Sequence, residues 1–128
     1  RMHEAKVSGA RQVVIWGTGA PKREFLDVAA LGDACVFLLE HYSGELPINV
    51  GAGRETTIAD FARTVAEVVG YGGELVFDVS KPDGMPRKLL DSSRLAELGW
   101  TAKTPLRQGL AKAYADFQTR LHAGLIVA

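Results

Sequence analysis

The sequence predicts a small α/β domain, with four or five short strands and about four helices. Two observations carry this prediction. Short β-branched runs alternate with amphipathic patterns of about a dozen residues, and glycine or proline stands between most of these segments. A length of 128 residues is enough for one domain that buries its own core. We therefore treat residues 1–128 as a single unit.

The first segments are a helical pattern and a strand. Residues 3–7 continue a helix, and Gly9 ends it. Residues 13–16 form a β-branched run that closes on Trp16 and the turn Gly17-Thr18-Gly19. Because the chain opens on Arg1 inside a helical pattern, and because the expected sheet is small, we expect it to be a piece of something larger.

A second strand, a helix and a third strand follow. Residues 25–28 form a short extended run. Residues 29–41 place apolar side chains at helical spacing, and Cys35 among them is predicted to be a core residue. Residues 48–50 are predicted to be a short buried strand.

The second half continues the alternation. Thr57 can cap a helix that stops at Gly70, and Asp60 resembles the acidic member of a capping box. The remaining expected elements are a strand at 74–78 and a helix at 94–98 capped by Ser92 or Ser93. A last helix is expected to have Thr104 as its capping residue and Pro105 at its first position.

Charge and composition exclude several classes of partner. The chain has 15 basic and 15 acidic residues, so nothing suggests nucleic acid or an anionic membrane as a partner. Its apolar runs are too short to span a bilayer. With one cysteine, no intrachain disulfide can form, and we expect a cytoplasmic protein.

Familiar catalytic and cofactor motifs are absent from the sequence. The turn at 17–19 lacks the third glycine of a dinucleotide fingerprint, and four residues separate Gly51-Ala52-Gly53 from the next helix. No histidine has a second metal ligand at a useful spacing, so we expect no metal. We identify no catalytic residue in this chain.

One loop, residues 80–91, combines rigidity with charge. Two prolines and a glycine keep it out of regular structure, and it carries Lys81, Asp83, Arg87 and Lys88. Such a loop is either a solvated surface or a binding site for a ligand with phosphates and hydroxyls. Trp16 has a flat ring on which a base or sugar can stack. The Arg23 guanidinium can bind a phosphate through two parallel hydrogen bonds.

Three segments resemble the GDP-L-fucose synthase family: VVIWGTGAPKREFLDV at 13–28, INVGAG at 48–53 and SKPDGMPRKLLD at 80–91. These enzymes are extended short-chain dehydrogenase/reductases. The resemblance implies that the chain is their C-terminal substrate-binding portion and that an N-terminal Rossmann half, with the cofactor fingerprint and a Ser/Tyr/Lys catalytic set, is not part of it. Residues 29–53 would pack on that half.

The resemblance also implies an activity. The complete enzyme would use NADPH to convert GDP-4-keto-6-deoxy-D-mannose to GDP-L-fucose by 3,5-epimerisation and 4-reduction, would be a homodimer, and would be cytoplasmic. This chain alone would be inactive and would hold the GDP-sugar. The substrate-binding residues that carry over are Arg1, Trp16, Arg23, Asp83 and Lys88.

One segment departs from the family pattern. The family's Asp-Val-Asp-Asp-Leu-Ala-Asp-Ala is here 27–34, DVAALGDA, which removes two acidic residues from the first turn of a helix. The start of that helix is therefore uncertain on sequence grounds. Two other functions stay open, namely another nucleotide-sugar epimerase or dehydratase of the same superfamily and a non-catalytic nucleotide-sugar-binding module.

Overall fold

The computed structural model describes residues 1–126. Within them it contains five helices and five short strands. In chain order these are α1 (Met2–Ser8), β1 (Gln12–Trp16), β2 (Lys22–Glu24), α2 (Val28–His41), β3 (Glu55–Thr57), α3 (Ile58–Val69), β4 (Glu74–Asp78), β5 (Arg87–Lys88), α4 (Ser93–Glu97) and α5 (Leu106–His122). The predicted α/β class is confirmed.

The strands form two small sheets. β1 and β4 pair in parallel, from Gln12 opposite Glu74 to Trp16 opposite Asp78. In the other sheet β2 lies in the middle, antiparallel to β3 and parallel to β5. Because β1 and β4 are parallel, their carboxyl ends meet at the same edge, which is where α/β sheets commonly bind ligands.

Two apolar clusters hold these elements together. One joins α1, β1 and α3 through Ala5, Val13 and Ala66. The other joins α2 to α4 and to the segment after α4, through Ala34, Leu95 and Trp100. In the second cluster, the indole N–H of Trp100 donates to an Asp33 carboxylate oxygen at 2.7 Å, so its one polar atom keeps a partner.

Helix α3 begins and ends as predicted. The Thr57 hydroxyl oxygen accepts from the Asp60 amide at 3.0 Å, and Gly70 ends the helix with φ 72°. Asp60 in turn accepts from the Thr57 hydroxyl at 2.7 Å. This differs from a full capping box, in which the acidic side chain reaches the cap residue's amide, because aspartate is one methylene shorter than glutamate.

The caps of the last two helices differ from expectation. Neither Ser92 nor Ser93 caps α4 with its side chain; instead an Asp91 carboxylate oxygen accepts from the Ser93 amide at 3.0 Å. Pro105 is the N-cap of α5, and no side chain caps that helix, so Thr104 does not have the predicted role.

The strand predicted at 25–28 is wrong. The preceding charged residues form β2 instead, and Val28 already begins α2. The cause is Asp27, whose carboxylate accepts from the Ala29 amide at 2.8 Å and starts the helix without the two missing acids. Phe25 is in the connection between strand and helix, where it stacks on Phe61 with ring centroids 3.8 Å apart.

The strand predicted at 48–50 is also absent. No described strand lies beside this segment to complete a ladder. Ile48 and Val50 pack against the second cluster, and the Asn49 side-chain amide donates to the Asp91 carbonyl at 3.0 Å. The apolar residues of the segment are therefore used in packing, without strand pairing.

Cys35 is exposed, which contradicts its predicted place in the core. Helix α2 is apolar on more than one side, and only the side that carries Ala34 faces the second cluster. The other side forms an apolar α2 stripe with Leu39 as its most exposed member, at 86%. The members of the stripe are Val28, Leu31, Cys35 and Leu39.

Candidate functional site

An exposed tryptophan ends strand β1 at the carboxyl edge of the parallel pair. Trp16 is 67% exposed, which is unusual for so large an apolar side chain. The Lys81 ammonium lies 5.7 Å from the centre of its ring. A flat aromatic surface with a cation beside it suits a ligand that carries both a ring and negative charge.

The turn after Trp16 is tied to the loop that was singled out from the sequence. One carboxylate oxygen of Asp83 accepts from the Thr18 amide at 2.6 Å, and the other accepts from the Thr18 hydroxyl at 2.7 Å. Gly17 has φ 84°, and a Cβ there would clash with the Asp83 carboxylate. Asp83 thus fixes the turn, and its expected contact with a ligand stays a prediction.

Two cations stand side by side on one face of the three-stranded sheet. Arg23 on β2 is directly opposite Lys88 on β5 and Thr56 on β3, so the three side chains share a face. Within residues 1–126, no carboxylate lies at ion-pair distance from Arg23 or Lys88. We call this trio the Arg23 face; its charge is not neutralised by the chain itself.

The opposite face of the same sheet is neutralised. Glu55 accepts from Arg87 at 2.6 Å and from Lys22 at 3.2 Å, so its carboxylate bridges two cations. The hydrogen bond from Arg87 holds the pKa of Glu55 below its usual value. The alternation of side chains along these strands therefore separates a compensated face from an uncompensated one.

Glu24, which follows Arg23, lies on the compensated face and binds backbone. One carboxylate oxygen accepts from the Leu90 amide at 2.7 Å, and the other accepts from the amides of Ala52 at 2.8 Å and Gly53 at 3.2 Å. The Ala52 and Gly53 amides, which could otherwise bind a phosphate, are therefore already hydrogen-bonded to Glu24.

Arg1 lies against strand β1. Its guanidinium donates to the Val14 carbonyl at 3.0 Å, two residues before Trp16. The backbone amino group of Arg1 is 3.0 Å from Glu4. Arg1 is thus near the edge that carries Trp16, and its contact with a ligand stays a prediction.

Four of the five residues expected at the site lie in or beside two neighbouring loops. The turn at 17–21 joins β1 to β2, and the loop at 79–86 joins β4 to β5. The bonds between Thr18 and Asp83 tie these connections to each other. Trp16 precedes the turn and Arg23 follows it, while Lys88 follows the loop. The sequence did not single out Thr18 or Glu24, which fix this arrangement.

A separate groove of about 730 Å³ lies beside the Gly51 loop. Arg54 and Arg87 line it, together with residues 89–93. None of the five expected site residues lines this groove. The uncompensated cations and this groove are therefore different features.

The chain's glycine turns do not fit a dinucleotide. At Gly17 the Asp83 carboxylate fills the space that a pyrophosphate would need, and beside Gly51 the Glu24 carboxylate takes the two loop amides. Among residues 1–126, no cluster of three metal-ligating side chains is present. Across that same range, no helix is long and apolar enough to cross a membrane.

Comparison with known proteins relates most of the chain to one group of enzymes. A profile of the NAD dependent epimerase/dehydratase family matches residues 1–51. The chain is 60% identical to GDP-L-fucose synthase 1 of Arabidopsis thaliana over 114 residues, which are 89% of this chain and 35% of that protein. It is 47% identical to the GDP-L-fucose synthase of Escherichia coli K12, over 91% of this chain and 39% of that protein.

A solved structure extends the comparison to the fold. The GDP-L-fucose synthetase of Naegleria fowleri bound to NADP superposes with a TM-score of 0.88 at 26% identity, over 94% of this chain and 38% of that one. The predicted fold, a portion of an extended short-chain dehydrogenase/reductase, is confirmed. The chain spans about a third of the length of these relatives. Most of the chain is similar to about a third of a GDP-L-fucose synthase, and residues 1–51 match the profile of the NAD dependent epimerase/dehydratase family.

Proposed function

We propose that the chain is the substrate-binding part of a GDP-L-fucose synthase, and that it holds the GDP end of GDP-4-keto-6-deoxy-D-mannose. The observation that carries this proposal is the Arg23 face. Two cations stand in register on adjacent strands without a carboxylate partner in the described residues, where a diphosphate would supply the missing charge. An arginine fork grips phosphate with two parallel hydrogen bonds, and lysine adds a point charge.

Trp16 supplies the neighbouring contact. Its exposed ring would stack on the base or sugar, and Lys81 beside the ring would attract the same anionic ligand. Asp83 would act on this surface by fixing the turn that follows Trp16. Holding the nucleotide in this way places the sugar for reaction, and accurate placement contributes several kcal/mol to a barrier in favourable cases.

The cofactor would bind outside this chain. NADPH supplies the hydride that reduces the C4 ketone. Neither the turn at Gly17 nor the loop at Gly51 has room for its pyrophosphate. We propose that another part of a cytoplasmic, homodimeric enzyme binds NADPH and carries the catalytic residues. Residues 29–53, which include all members of the apolar α2 stripe except Val28, would pack on that part, since so exposed an apolar helix face is unusual in a soluble protein.

A chimeric enzyme tests the proposed function. The 128-residue chain should replace the matching segment of the Escherichia coli GDP-L-fucose synthase and support NADPH oxidation with GDP-4-keto-6-deoxy-D-mannose. The chain alone should give none, because we propose that NADPH binds to another part of the enzyme. A chimera that folds and binds NADPH but reduces only a UDP- or dTDP-linked keto sugar would contradict the assignment to GDP. NADPH oxidation by the chain alone would contradict the proposal that another part of the enzyme binds the cofactor and carries the catalytic residues.

A further inference from the structure

Three separate backbone segments meet at the carboxylate of Glu24. Strand β2 carries it, the loop of Ala52 and Gly53 donates two amides to one oxygen, and Leu90 donates to the other. No other side chain in residues 1–126 accepts from two such distant segments of backbone. Charge-assisted bonds of this kind are among the stronger ones in proteins.

Strand β5 has little backbone pairing of its own. It is two residues long, Arg87 and Lys88, and Lys22 donates to Pro86 at its entrance. So short a strand has little pairing to keep it in place. Leu90 comes two residues after Lys88, so its bond to Glu24 attaches the chain to β2 just beyond the point where the ladder stops.

Gly51 supplies the space for the carboxylate. A Cβ at this position would lie 2.7 Å from one Glu24 oxygen and 3.0 Å from the other, and 3.0 Å from the Ser92 hydroxyl. The backbone of Gly51 does not have a positive φ, so alanine would be tolerated there apart from these contacts. The absence of a side chain at Gly51 is therefore matched to Glu24.

We infer that Glu24 is a positioning residue for the Arg23 face: by anchoring the exit of β5 it keeps Lys88 beside Arg23. Glu24 and Arg23 are adjacent on β2, so Glu24 acts from the compensated face and does not touch the ligand. The inference rests on the proposed function, since it assumes that the Arg23 face binds the diphosphate. Its structural half, the ordering of β5, can be measured without a ligand.

Two substitutions displace the carboxylate by different routes. Glu24→Gln keeps the shape of the side chain but leaves one acceptor oxygen for two segments, and Gly51→Ala pushes an intact carboxylate aside. Glu97→Gln and Gly72→Ala are matched controls, because Glu97 makes no ion pair within the described residues and a Cβ at Gly72 meets nothing within 4 Å. Each variant of the 128-residue chain is titrated with GDP-mannose by NMR, and amide exchange is followed at 88–90.

Both variants should raise the Kd for GDP-mannose about tenfold, as expected for one charge-assisted bond, and should speed exchange of the Leu90 amide by a similar factor. The double variant should bind within about twofold of the weaker single one, since both changes remove the same interaction. The controls should match the parent. Parent-like binding and exchange in Glu24→Gln would overturn the inference; if that variant does not fold, Gly51→Ala decides by the same criteria.

Failure of the proposed function would look different. A parent chain that does not bind GDP-mannose contradicts the diphosphate site whatever Glu24 does. In that case exchange at Leu90 still decides the structural half: faster exchange in both variants supports the anchoring of β5 by Glu24, and unchanged exchange overturns it.

Discussion

Replacing both Arg23 and Lys88 with alanine should raise the KM of the chimeric enzyme for GDP-4-keto-6-deoxy-D-mannose by at least about 100-fold. Each cation is expected to donate charge-assisted bonds to the diphosphate, worth about 2 kcal/mol or about 30-fold per residue. Because these bonds are present in both the bound substrate and the transition state, kcat should fall by no more than about threefold. Steady-state NADPH oxidation measures both constants.

The matched control for this experiment is Lys22→Ala. Lys22 is next to Arg23 on the same strand, but it points to the opposite face, where it pairs with Glu55. Its loss removes one positive charge, half of what the double variant loses, directly beside Arg23 in the sequence. KM should change by less than about twofold, as for an exposed ion pair. An equal rise in KM for both variants would mean that net charge, and not the Arg23 face, attracts the substrate.

Replacing Leu95 with alanine should destabilise the chain by about 3 kcal/mol, within the range of about 2–5 measured for such core changes. Leu95 is the one large side chain in residues 1–126 with less than 2% of its surface exposed. It packs with Ala34 and Trp100, and so connects α4 to α2. Since small domains are stable by only about 5–15 kcal/mol, this loss is a large share of the total. Urea denaturation followed by circular dichroism measures it.

Leu98→Ala is the comparison for this stability measurement. Leu98 follows α4 and is 39% exposed, so its replacement removes less buried apolar surface than that of Leu95. Its replacement should cost less than about 1 kcal/mol. Similar losses for Leu95 and Leu98 would show that the second apolar cluster is not the part of the chain that limits its stability.

The sequence predicted those elements whose signals are local. The turn after Trp16 follows from two glycines, both of which have positive φ, and helix α3 follows from Thr57 and Gly70. Apolar periodicity also located α2, but it did not identify the side that is buried. Cys35 was misplaced for that reason, because α2 is apolar on more than one side and only contacts with α4 distinguish the sides.

The parts that sequence reasoning missed depend on pairs that are distant in the chain. Thr18 and Asp83 are 65 residues apart, and Glu24 and Leu90 are 66 apart. No local pattern relates such partners. One usable signal was present: Glu24 is an acid directly after two cations, in a segment expected to bind an anion. The separation of cations into two faces also required the register of β2 with β5, which the sequence does not specify.

The central claim is that Trp16 and the Arg23 face bind a GDP-sugar, and the two tryptophans of the chain test it most directly. In a ¹⁵N-labelled sample the indole N–H of Trp16 reports on an exposed side chain, while that of Trp100 is bonded to Asp33 and serves as an internal control. Titration with GDP-mannose should shift the Trp16 indole signal, together with the amides of Arg23 and Lys88, and leave the Trp100 indole in place. An unmoved Trp16, with shifts confined to the groove beside Gly51 or with none at all, would contradict the claim.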